Sequence, residues 1–70
     1  MSPDKLVYMA NQIGRFFAYQ PPEAAVAGIV DHLRKFWEPR MRHQIVTLLD
    51  KPDIGFDPQV RTAVERLRGQ

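Results

Sequence analysis

Apolar residues recur at Leu6, Met9, Ala10, Ile13, Phe16 and Phe17. That is the i, i+3, i+4, i+7 spacing that lines up side chains on one face of an α-helix. Lys5, Asn11, Gln12 and Arg15 fall off this stripe. A second stripe follows at Val26, Ile29, Val30, Leu33, Phe36 and Trp37, displaced from the first by a uniform twenty positions. Each stripe ends in an adjacent aromatic pair a few residues before a proline. Met41, Ile45 and Leu48 make a narrower third stripe, and Val60, Ala63, Val64 and Leu67 a fourth. No segment alternates as a half-buried strand would.

The punctuation agrees with these stripes. Ser2 is a candidate N-cap, with Pro3 at the first helical position and Asp4 near the positive helix end. Pro21-Pro22 separates the first two helices, and Pro39 must end or kink the second near Trp37-Glu38. Asp57-Pro58 is a strong start for the last helix, with Asp57 as its cap. Arg66 and Arg68 suit the negative C-terminal end of that helix. Residues 50–56 carry Pro, Gly and two Asp, and read as the one real loop. The pattern predicts an all-α chain: a small three- to four-helix bundle forming one domain over residues 1–70. Its helices span about 3–19, 22–37, 39–50 and 58–68, and the short 20–22 connection makes the first two an N-terminal antiparallel helical hairpin.

Length limits what such a bundle can bury. A domain of 70 residues hides only about 60% of the surface of its unfolded chain. Chains of this size usually need a disulfide, a metal or a partner. With no Cys in the sequence, disulfides and thiolate metal sites are excluded, which leaves a partner. Outside the stripes remain Val7, Tyr8, Tyr19, Val46, Leu49, Ile54 and Phe56. Apolar surface that gathered into a contiguous patch would mark an interaction surface. The N-terminus lacks the basic start and apolar run of a signal peptide, and no apolar run approaches a membrane span of about 20 residues. The expectation is a soluble, cytoplasmic protein.

Charge is unevenly placed. Residues 1–33 carry two Lys/Arg against three Asp/Glu, whereas residues 34–70 carry eight against five. The basic character begins in residues 34–43, which join the only Trp to four formal cations. In this stretch Phe36, Trp37 and Met41 are expected mainly in the core, with the pair Phe36 and Trp37 closing its base. Pro39 makes a corner between two helices. Arg34, Lys35, Arg40 and Arg42, with His43, are expected on display there. The candidate partner interface is therefore Arg34, Lys35, Trp37, Arg40, Met41, Arg42 and His43. Trp and Arg dominate interface energetics, and Arg pairs bidentately with carboxylate or phosphate.

Catalysis finds no support. Ser2 is the only Ser and there is no thiol nucleophile. His32 and His43 are eleven residues apart on different predicted helices, without further ligands at metal-binding spacing. No phosphate-binding glycine loop or EF-hand loop is present. Low net charge, and the want of one helix with a continuous basic face, argue against nucleic-acid binding.

Lys5-Leu6-Val7, Met9-Ala10-Asn11-Gln12-Ile13, Phe16-Phe17 and the run from His32 through Arg42 resemble the delta subunit of the soluble NAD-dependent molybdenum formate dehydrogenases. The resemblance is good over residues 4–43 and looser from Asp57 to Leu67. It implies a non-catalytic accessory subunit of a bacterial complex that oxidises formate and reduces NAD. Its partners would be an alpha subunit with bis-molybdopterin guanine dinucleotide and iron–sulfur clusters, a beta subunit with FMN, and a gamma subunit with a further cluster. The delta subunit would itself bind no cofactor, and would support assembly, maturation or stability of the molybdenum-containing subunit. An alternative reading makes the basic corner a site for an anionic ligand, such as the pterin dinucleotide or a free nucleotide.

Overall fold

The computed structural model describes residues 1–69. The elements are α1 (Pro3–Phe17), α2 (Pro22–Phe36), α3 (Pro39–Thr47), a 3₁₀ turn (Leu48–Asp50) and α4 (Pro58–Arg68), with no strand among the described residues. Every α-helix begins on a proline, the residue whose fixed φ suits the first helical position and whose missing N–H costs nothing there. The all-α expectation holds. Three helix ends differ from the sequence pattern, the second helix stopping at Phe36 rather than Trp37. The first helix stops at Phe17 rather than near residue 19, and the third tightens into a 3₁₀ turn at its end, a common way to close a last turn.

The caps are of two kinds. Ser2 caps α1 as expected, its Oγ accepting from the Lys5 N–H at 3.3 Å. Asp57 occupies the N-cap position of α4, but its side chain makes no capping bond. Its carboxylate instead lies 3.8 Å from Arg15 Nε on α1, so the cap reading of that side chain is corrected.

The core joins all four helices. Leu6, Ile29, Leu33, Ile45, Val60 and Val64 are its largest fully buried side chains. α1 and α2 pack against each other across a short turn, as a hairpin should, but α2 makes its broadest contact with α4. Backbones come close at two glycines. Gly14 of α1 lies against Val60 of α4, and the Phe17 ring covers Gly28 of α2 so closely that a Cβ there would sit 2.6 Å from the ring.

The stripes of α2 and α4 face the core as expected apart from Phe36, and that of α1 is rotated about its axis. Val7, Ala10 and Gly14 join Leu6 on the buried face of α1, although Val7 lay outside the expected stripe. Met9 and Ile13 are only partly buried. Phe16 is 74% exposed and Phe36 71% exposed, whereas Trp37 is 6% exposed. Phe16 and Phe17, about 100° apart on α1, lie at the edge of its buried face, and the extended backbone at Trp37 turns that ring inward while Phe36 stays outside. In each pair the second is the more buried. Phe16 and Phe36 are thus corrected from core to surface.

The remaining segment is held in place by polar groups. Asn11 of α1 donates from its side-chain amide to the Gly55 carbonyl at 3.0 Å and accepts from the Asp57 N–H at 3.0 Å. Gly55 has φ +98°, a conformation that favours glycine. Arg61 of α4 donates to the Leu49 carbonyl at 3.3 Å and lies over the Phe56 ring, 5.7 Å from its centre. Ile54 and Phe56 pack against the core from this loop.

Candidate functional site

The residues of the expected basic corner part company in the fold. α2 ends at Phe36, and Trp37 and Glu38 are extended, with ψ of 138° and 150°. Pro39 imposes this on its predecessor by steric clash. The extended step lets the buried Trp37 ring pack into the core cluster, leaving little of it for a partner to touch. Met41 is half-buried against the same cluster.

Arg42 does not simply stand on display. It is half-buried, and its Nη1 donates to the carbonyl of Trp37 and, at 3.1 Å, to that of Arg34. The last carbonyls of a helix lack intrahelical partners, and a guanidinium at the negative helix end is favoured electrostatically as well. Arg42 is thus the lock of the α2–α3 corner. Lys35 points elsewhere and pairs with Asp31 at 3.1 Å one turn back on α2. The acid-before-lysine order is the favourable one on a helix. Arg40 and His43 are exposed.

Arg34, Arg42 and His43 do come together, joined by a cation absent from the expected set. An open groove of about 570 Å³ is lined by Arg34 of α2, Arg42, His43 and Val46 of α3, and Leu67 and Arg68 of α4. Arg68 has a spacing signal only in the fold: it lies 26 residues beyond Arg42 in sequence, and the packing of α4 brings it in. Lys35, Trp37, Arg40 and Met41 do not line this groove.

A second surface lies on the other flank of α2. Arg34 and Phe36 are two residues apart, so they project about 200° from one another. Phe36 faces the α1 side, where rings touch in series. Phe16 and Phe17 meet edge-to-face at 5.3 Å, Phe17 and His32 at 6.4 Å, and His32 and Phe36 at 4.8 Å. These are ordinary aromatic pair distances. The two ends of the series, Phe16 and Phe36, are the exposed members of the two sequence pairs. Together the four rings form a contiguous, half-apolar face across α1 and α2, which the stripe pattern had assigned largely to the core.

Electrostatics elsewhere are simple. One Arg66 nitrogen, Nη2, lies 3.0 Å from both carboxylate oxygens of Glu23, tying the C-terminal end of α4 to the start of α2. The hydrogen bond from Arg66, and then its charge, hold the Glu23 carboxyl below the usual glutamate range, and the same hydrogen bond to Glu23 holds Arg66 above its own range. No grouping of three or more His, Asp or Glu that could hold a metal occurs among the described residues. Nor is any described helix long and apolar enough to cross a membrane.

The family profile for the NADH-dependant formate dehydrogenase delta subunit FdsD matches residues 5–64. The chain belongs to the FdsD family. The match runs through the loop between the 3₁₀ turn and α4, beyond the residues that carried the resemblance in the sequence alone. Among curated proteins and among solved structures nothing matches the chain. FdsD is therefore one subunit of an oxidoreductase complex, and its surfaces are to be read as those of a component that meets others.

Proposed function

We propose that this FdsD chain is a non-catalytic accessory subunit that docks on the catalytic alpha subunit of an NAD-dependent, molybdenum-containing bacterial formate dehydrogenase. By docking it supports assembly, maturation or stability of that subunit. The observation that carries the reading is the ring series from Phe16 to Phe36, whose ends are 74% and 71% exposed. Large aromatic side chains supply much of the energy of protein interfaces when a partner desolvates them. Lys35, exposed next to Phe36 at the end of α2, fits the polar rim that surrounds such a core.

The mechanism is mass action. A subunit that binds only the assembly-competent conformer of its partner raises the population of that conformer in proportion to its own occupancy. No chemistry is asked of this chain. Bis-molybdopterin guanine dinucleotide, iron–sulfur clusters and FMN belong on this reading to the alpha, beta and gamma subunits, and the assembly is cytoplasmic.

The test is co-purification from cells making all subunits. Tagged chain carrying Phe16→Ser and Phe36→Ser should recover at least about tenfold less alpha subunit, with less molybdenum bound in the complex. Its far-UV circular dichroism should stay helical, since neither ring is in the core. Full recovery of alpha by a helical double variant would remove the aromatic face from the interface.

A further inference from the structure

The basic groove and the aromatic face lie on opposite flanks of α2 and share no residue. We propose that the groove is an anion site for two linked phosphoryl groups, the chemistry shared by a nucleoside diphosphate and the pyrophosphate bridge of a dinucleotide. Arg34, Arg42 and Arg68, with His43, face the phosphates. Val46 and Leu67 form the wall against the group that bears them.

The composition of the lining carries the charge argument. Three guanidinium groups and an imidazole converge there from α2, α3 and α4, and no Asp or Glu lines the groove. The side chains of Arg34 and Arg68 have no hydrogen bond or ion pair with any described residue, in contrast to Arg15, Lys35 and Arg66, which are paired. Like charges gathered without an acid repel one another, and an anion between them removes that cost. A single carboxylate would offset one of three guanidinium charges, whereas linked phosphoryl groups offset two or three. The planar fork of Arg matches phosphate oxygens bidentately.

Preorganisation carries the rest. Arg42 is fixed by the Arg34 and Trp37 carbonyls through Nη1, which leaves its remaining N–H groups available. A cation already held in place loses little freedom on binding. The groove volume of about 570 Å³ falls within the range of roughly 300–1,000 Å³ typical of small-molecule sites. It exceeds what phosphate alone would fill, and the half-buried Val46 and Leu67 offer apolar surface for an attached base or sugar.

Calorimetric titration of the full chain with orthophosphate, pyrophosphate, ADP, GDP and an oligoglutamate peptide tests the site. Pyrophosphate should bind at least about tenfold more tightly than orthophosphate, and the nucleoside diphosphates more tightly still. Binding should weaken as salt is raised. The variant Arg34→Gln with Arg68→Gln, both exposed and outside the core, should keep its helical circular dichroism and lose about tenfold or more in pyrophosphate affinity. Phe16→Ser with Phe36→Ser should bind as the unaltered chain does, whatever it does to co-purification. No heat with any phosphate, equal affinity for oligoglutamate, or undiminished binding by the Arg variant would each overturn the proposal. Nucleoside diphosphates binding no better than pyrophosphate would overturn the apolar wall.

Discussion

Arg42 illustrates how a residue chosen for one reason can serve another. Its charge and its place beside Pro39 mark it as a surface cation, yet its guanidinium spans the end of α2 and closes two carbonyls. Removing it while keeping its stem, as Arg42→Met, should cost about 1–2 kcal/mol, the scale of charge-assisted hydrogen bonds at a half-buried site. The midpoint of thermal unfolding should fall by about 4–8 °C per kcal/mol for a chain this small. An unchanged midpoint would mean that water replaces the guanidinium without loss. Gly28 makes a complementary case. It is there because Phe17 lies on it, and Gly28→Ala should destabilise by about 1–3 kcal/mol through overpacking, despite the better helix propensity of alanine. Chemical denaturation of the variant measures this directly.

At the scale of elements, two devices hold the bundle together outside its core. Asn11 fastens the loop of residues 51–57 to α1 with both ends of its amide. Asn11→Ala should raise hydrogen-exchange rates at Asp57 and through that loop, while amides in the middle of α2 exchange as before. Uniform acceleration across the chain would show that the loop opens only when everything does. Glu23 and Arg66 join α2 to α4. The Glu23 pKa is lowered in the folded chain, so its contribution is present above the unfolded glutamate range. It is lost as pH falls through the folded value, because the unfolded state binds the proton first. Both side chains are exposed, so the effect is small. Comparing Glu23→Gln with the parent in acid titrations should show the two stability curves converging at low pH and separating above it.

At the scale of the whole molecule, the notable property is the separation of an aromatic face from a basic groove by the body of one helix. A chain with little room for a core still leaves Tyr8, Phe16, Tyr19 and Phe36 on its surface, and small domains of this kind gain stability when a partner covers such residues. The FdsD family supplies the setting for a partner. If the two surfaces work independently, the Phe variant loses co-purification and keeps phosphate binding, and the Arg variant does the reverse. Loss of both properties in both variants, with helical content intact, would mean one shared surface.

Much of this was legible in the sequence because helices advertise themselves locally. Apolar periodicity and proline placement set the existence of the four helices, and the specific runs around Asn11 and Trp37 point to the family. The limits of α4 were clear for the same reason, since Asp57-Pro58 starts it and the basic last turn ends it. What the sequence could not decide was phase. A stripe ending in two adjacent aromatics is consistent with either ring facing inward, and the choice at Phe16-Phe17 and Phe36-Trp37 depends on where the neighbouring helices lie. Long-range polar partners were equally hidden. Asn11 reaching Gly55, Arg42 turning back to α2, and Arg68 arriving beside Arg34 are encounters between residues far apart or around a corner, and no spacing rule encodes them. The sequence alone determined an all-α chain of four proline-led helices with a basic second half. Only tertiary packing decided which cations gather into a groove and which aromatics remain outside, because both depend on the relative rotation of helices about their axes.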